Sequence, residues 1–187
     1  MTKKELYHIC HANGIPPLLY KWSFYEECHE GVLRKIFIPV FENIDKFIQE
    51  RSVWYIYLDD TVLASRIGVT FFKAAILENY RNTRYTTIDN IALFQREHWY
   101  DNGDVYTNLL HADFLLIDKV KHKMEDFQKK IWDKFIEDRF LLNKSTVIVG
   151  LVNYNKPGLF NERAIDLFKT IDAKIVNDSG FIEIGSC

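Results

Sequence analysis

Six apolar residues stand in a row from Val53 to Leu58 (VWYIYL), and that run constrains the fold more than any other stretch. A strand with one wet face alternates apolar and polar residues, whereas an unbroken run demands cover on both sides, as in a parallel sheet between layers of helices. Similar buried strands are expected at Ala112 to Ile117 (ADFLLI) and Ser145 to Val152 (STVIVGLV), and Arg84 to Ile88 suits a further strand. Helical patterns separate them. The expected class is therefore α/β, a three-layer sandwich with a mostly parallel sheet.

Periodicity and punctuation place the helices. Residues 3 to 12 read as a short helix ended by Asn13-Gly14, after which Ile15-Pro16-Pro17 imposes an extended segment. Val32 to Glu50 carries an apolar stripe that includes Leu33, Phe37, Phe41, Ile44 and Phe47, with Pro39 expected to break or kink it. Further helices are expected at Ile67 to Tyr80, Asn90 to Trp99 and Asp104 to His111, with EHWYDNGD between the last two as a surface loop. Met124 to Leu142 is the clearest helix, with Phe127, Ile131, Trp132, Phe135, Ile136 and Phe140 on one side. Asn161 can cap a helix through Lys169, and Ala173 to Val176 pairs with Phe181 to Ile184 about Asp178-Ser179-Gly180.

The 187 residues, 48% hydrophobic and 27% charged, suit one packed domain and exclude a disordered chain. Residues 1 to 31 are expected to lead into a single α/β domain over 32 to 187, because about thirty residues are too few for a core of their own. A net charge of −2 and a pI near 6.3 provide no global basic field, so any nucleic-acid contact must be a local patch. There is no apolar run long enough for a membrane span and no signal peptide, which points to the cytoplasm and to no membrane partner. Three cysteines, Cys10, Cys28 and Cys187, without paired spacing suit a reducing compartment. His8, Cys10, His11, Cys28 and His29 are zinc-ligand types, but their irregular spacing assigns no metal site; side chains around a short helix are the plainer reading.

Between the first strand and its helix, LDDTVLAS (residues 58 to 65) stands where a nucleoside triphosphatase of this architecture carries G-x-x-x-x-G-K-[ST]. Only Ser65 fits. Leu58 and Leu63 replace the glycines that let backbone N–H groups close on phosphates, and Ala64 replaces the lysine. Asp59 and Asp60 oppose a phosphate further, because like charges about 4 Å apart repel by roughly 4 kcal/mol at an effective dielectric of ~20. Arg66 is a candidate substitute for the lysine, but that register puts Gly68 where the helix wants a core residue. At the end of the third strand, Asp118 fits the acidic residue that holds magnesium, or else a simple strand-end turn residue. Lys119 stands where a second acid would polarise the attacking water, and an ammonium cannot act as that base. No catalytic residue is assigned. No cofactor is expected, with ATP and magnesium at an unconventional Ser65, Arg66 and Asp118 site as the alternative.

With these elements in order, the chain resembles the AAA+ domain of bacterial replicative-helicase loaders, the DnaC-like branch in its short phage or mobile-element form. The likeness runs from about Asn13 to Gly185: NGIPPLLYKWSF resembles the family's N-I-P lead-in, FENIDKFIQE the helix before the first strand, and ADFLLIDKV the acidic strand. STVIVGLVN resembles the sensor strand and NERAIDLF the G-E-R helix start. The resemblance implies a P-loop NTPase fold with a degenerate nucleotide site and a displaced sensor asparagine, since Leu151 sits near that place and Asn153 lies two residues on. It further implies a catalytically inactive loader-like subunit in DNA replication. Its partners would be a replicative helicase or an active AAA+ subunit, in a homo- or hetero-oligomer. Arg163 falls in the region from which such domains offer an arginine to a neighbour's nucleotide, or else it pairs with Asp166 on the helix surface. A single-stranded-DNA contact through Lys119, Lys121 and Lys123 is a further alternative, with a solvated charge run as its plain counterpart.

Overall fold

The computed structural model describes residues 1–27, 31–98 and 104–182. The chain opens with helix α1 (Lys3–Ala12), capped by the Thr2 side chain and closed at Asn13, with Gly14 beyond at positive φ. Pro16 is extended, as Ile15-Pro16-Pro17 predicts, but Pro17 begins a short helix α2 (Pro17–Tyr20), because a proline's missing N–H is harmless in the first turn. Helix α3 (Phe24–Glu27) follows. Helix α4 (Val32–Glu42) runs through Pro39, and the break expected there falls instead at Asn43, before α5 (Ile44–Gln49). Pro39 and Lys35, the residue whose carbonyl loses a donor, are both exposed, so water can serve that carbonyl.

Strand β1 (Val53–Ile56) leads to the long helix α6 (Thr61–Leu77), which starts six residues before the expected Ile67. Then come β2 (Thr83–Thr87), α7 (Ile88–His98), α8 (Asp104–His111) and β3 (Phe114–Val120). The core of the expected surface loop, residues 99–103, lies outside the described residues, as do Cys28, His29 and Cys187. The chain continues with α9 (Asp126–Leu141), β4 (Ser145–Gly150), α10 (Glu162–Thr170), β5 (Lys174–Asn177) and β6 (Gly180–Ile182). Phe127, placed on the apolar side of its helix from the sequence, is exposed at its first turn.

The six strands form one sheet in the order β2-β3-β4-β1-β5-β6, parallel except for the terminal β5–β6 pair. Alternation along each strand feeds two separate cores. Trp54, Ile56, Phe114, Leu116, Val147 and Val149 face α1 to α6, while Val53, Tyr55, Leu115, Ile117 and Ile148 face α7 to α10. This is the double cover that the apolar runs demand. The N-terminal helices share the first core, since Leu6, Cys10, Leu19, Tyr20 and Trp22 are buried in it.

Two details fix the height of α6 over the sheet and the tie between layers. A Cβ on Gly68 would stand 2.7 Å from Val149 Cγ2 and 3.0 Å from Leu116 Cδ1, so this glycine lets the helix lie closely on β3 and β4. On the other face, Arg139 of α9 is fully buried. Its guanidinium donates to the carbonyls of Leu110 and Ser145 at 2.7 Å, to that of Ala112, and to Thr146 Oγ1 at 3.1 Å.

Candidate functional site

In open parallel sheets, sites form at the carboxyl ends of the strands where the strand order reverses. Here β1 is followed by β2 on one side of the sheet and β4 by β5 on the other, so that point lies between β1 and β4. The segment joining β1 to α6 is residues 57 to 60, shorter than the eight-residue connection read from the sequence. Asp60 caps the helix, its Oδ1 accepting the N–H groups of Val62 and Leu63 at 2.9 Å each. From the other side, the N–H of Asp59 donates to Asp178 Oδ2 at 2.8 Å, which ties the β5–β6 turn to this loop. Leu58 and Ala64, at the first glycine and lysine positions of the absent motif, are buried.

Ser65, one turn into α6, donates its hydroxyl to Asp118 Oδ1 at 2.7 Å. Tyr85 of β2 donates to Asp118 Oδ2 at 3.1 Å, and the Lys119 N–H reaches Oδ1 at 2.8 Å. Asp118 is wholly excluded from water. That burial raises its pKa above the ordinary carboxyl value, against the pull of its three donors and of the Lys119 charge. Burial and the Asp118 charge likewise push the Tyr85 phenol up, so it stays a donor at neutral pH. The fold brings together Ser65 and Asp118, two positions singled out separately in the sequence. The sequence conceals Tyr85, whose signal is register: Thr87 pairs with Asp118, and Tyr85, two residues earlier, points to the same face.

Lys119 adopts φ 58° where β3 slips its register against β4, and its side chain is exposed. It lines a cavity of about 190 Å³ with Ser65, Leu18, Leu19, Val62 and Leu151. Leu18, Val62 and Leu151 are exposed, so apart from Lys119 and Thr61 the mouth above the Ser65–Asp118 pair is apolar. Asn153, beyond the end of β4, turns its side-chain oxygen to the N–H of Asn155 at 3.2 Å.

Other candidates from the sequence lie elsewhere or are engaged. Arg66 points to the N-terminal layer, its guanidinium 5.6 Å from the Trp22 ring centre. Arg163 is exposed and pairs with Glu137 of α9 at 3.3 Å rather than with Asp166. Lys121 pairs with Asp89 at 3.1 Å, and Lys123 is exposed. Among the described residues, no group of three or more histidine, cysteine or acidic side chains is arranged to hold a metal. No described helix is long and apolar enough to cross a membrane.

No protein-family model and no curated protein matches this sequence. Solved structures do. DnaA from Aquifex aeolicus with bound AMPPCP superposes with a TM-score of 0.63 at 16% identity, over 80% of this chain and 47% of that one. A replication initiator DnaA bound to AMPPCP and single-stranded DNA gives 0.61 at 17% identity, over 87% of this chain and 51% of that one. The DnaC helicase loader gives 0.54 at 13% identity, over 75% of this chain and 84% of that one. The likeness is one of fold. It bears out the α/β, mostly parallel, P-loop NTPase (AAA+)-like architecture expected from the sequence, and the chain spans about half the length of the DnaA chains.

Proposed function

We propose that this chain is a replication-initiation protein of the helicase-loader type that acts through its surfaces, binding a replicative helicase or an active AAA+ partner without turning over nucleotide. Asp60 carries this reading. Its carboxylate already occupies the two N–H groups at the start of α6 that would otherwise face a phosphate. A triphosphate would have to displace that cap and then sit beside two carboxylates, at a cost of roughly 4 kcal/mol for each charge pair about 4 Å apart. Magnesium would have to part Ser65 from Asp118 in a site closed to water. The residues present do not fit ATP and magnesium, and the likeness to the DnaC helicase loader and to DnaA supports a place in replication initiation.

The alternative of an unconventional ATPase finds less support, because Arg66 lies against the Trp22 ring in the N-terminal layer. A DNA-binding accessory is favoured by the exposure of Lys119 and Lys123 and by the likeness to a DnaA bound to single-stranded DNA, but Lys121 is paired with Asp89. Size-exclusion chromatography of the purified chain with a bacterial replicative helicase tests the proposal. Co-elution without nucleotide is expected; co-elution only with ATP would overturn it.

A further inference from the structure

Beside Thr70, Lys73 and Leu77 in the second half of α6, α1, α3 and the α4–α5 junction leave a cavity of about 290 Å³, at the small end of ligand pockets. Its apolar surface includes Leu6, Phe24, Phe41 and Ile44. Lys73 of α6 also lines it, half-buried. The Lys73 ammonium donates to the carbonyl of Trp22 at 2.6 Å and to that of Tyr20 at 3.4 Å. An ammonium has three donors, so among the described residues one is left over.

The charge is similarly incomplete. Among the described residues no carboxylate forms an ion pair with Lys73, and burial lowers its pKa against the weaker pull of the Glu26 charge. The neighbouring Cys10 thiol does not supply one, because burial pushes its pKa up to about 11. Among the described residues that line the cavity, Lys3, Lys21 and Lys73 stand against Glu26 and Glu78, which leaves one positive charge over.

We propose that this cavity binds a compact monoanion with an aromatic or aliphatic body: its carboxylate takes the free donor of Lys73, and its apolar part lies on Leu6, Phe24, Phe41 and Ile44. A free carboxylic acid and the C-terminal carboxylate of a polypeptide ending in an apolar residue share that chemistry. This inference does not rest on the proposed loader function.

Titration calorimetry with 4-phenylbutyrate, and with its neutral amide, tests it. The acid is expected to bind and the amide to bind roughly tenfold more weakly or not at all, since a hydrogen bond to a charged group is lost. Lys73→Met should abolish the preference for the acid. Ala74→Leu, which fills the cavity and keeps the lysine, should abolish binding altogether, with circular dichroism confirming that both variants fold. A tetrapeptide ending in phenylalanine, free against amidated, separates the sources: tighter binding of the free peptide than of phenylbutyrate assigns the site to a chain terminus, and the reverse order assigns it to a small acid. No binding by the wild type, equal binding of acid and amide, or an unchanged affinity in Lys73→Met would overturn the proposal.

Discussion

Asp118 accepts from Ser65, Tyr85 and the Lys119 backbone while excluded from water, and its burial still holds the carboxyl above its ordinary value of 3.8. The sign of the linkage follows. Just above pH 3.8 the folded state keeps a proton that the unfolded chain has released, so this group's contribution to stability declines as pH rises through the folded pKa. The stability advantage of wild type over Asp118→Asn is therefore expected to shrink as pH rises above about 4, as read from urea unfolding. An advantage that grew with pH would contradict the assignment. Ser65→Ala removes one donor to this buried carboxylate and should cost about 1.5–3 kcal/mol in the same assay at neutral pH. Ser65 and Asp118 were legible from motif spacing. Tyr85, Asp178 and Arg139 were not, because each acts across the fold through partners remote in sequence, which for Arg139 are the carbonyls of Leu110 and Ala112.

Elements were legible where burial alone dictates them. The runs at Val53, Ala112 and Ser145 became β1, β3 and β4 because only a doubly covered strand can hold them. Asn161 caps α10 as expected, through the N–H of Ala164. Boundaries failed where a single polar side chain decides them. Asp60 starts α6 early by capping it, and Asn43 ends α4 in place of Pro39. Arg139 is the sharpest case, a charged residue in a helical pattern that turned out to clamp the end of α8 and Ala112 just beyond it to the start of β4. Lysine lacks the planar fork that serves several carbonyls at once. Arg139→Lys is accordingly expected to lower stability by about 2–4 kcal/mol, since carbonyls are left buried and unpaired. A loss below about 0.5 kcal/mol, the range of ordinary surface changes, would show that the clamp is dispensable.

At the scale of the whole molecule, the sheet order and the two buried faces preserve a frame in which the reversal of strand order makes a site. In this chain that place is closed from within: Asp60 on the helix start, Asp178 on the loop, Ser65 and Tyr85 on Asp118, and an apolar rim of Leu18, Val62 and Leu151. The frame was legible from apolar runs and element order, whereas the closure was not, because it depends on contacts between β1, β2, β3 and the β5–β6 turn. Titration calorimetry of the purified chain with ATP and magnesium tests this account most directly. The account predicts no heat of binding at micromolar to low-millimolar nucleotide; micromolar binding that Asp118→Ala abolishes would contradict it.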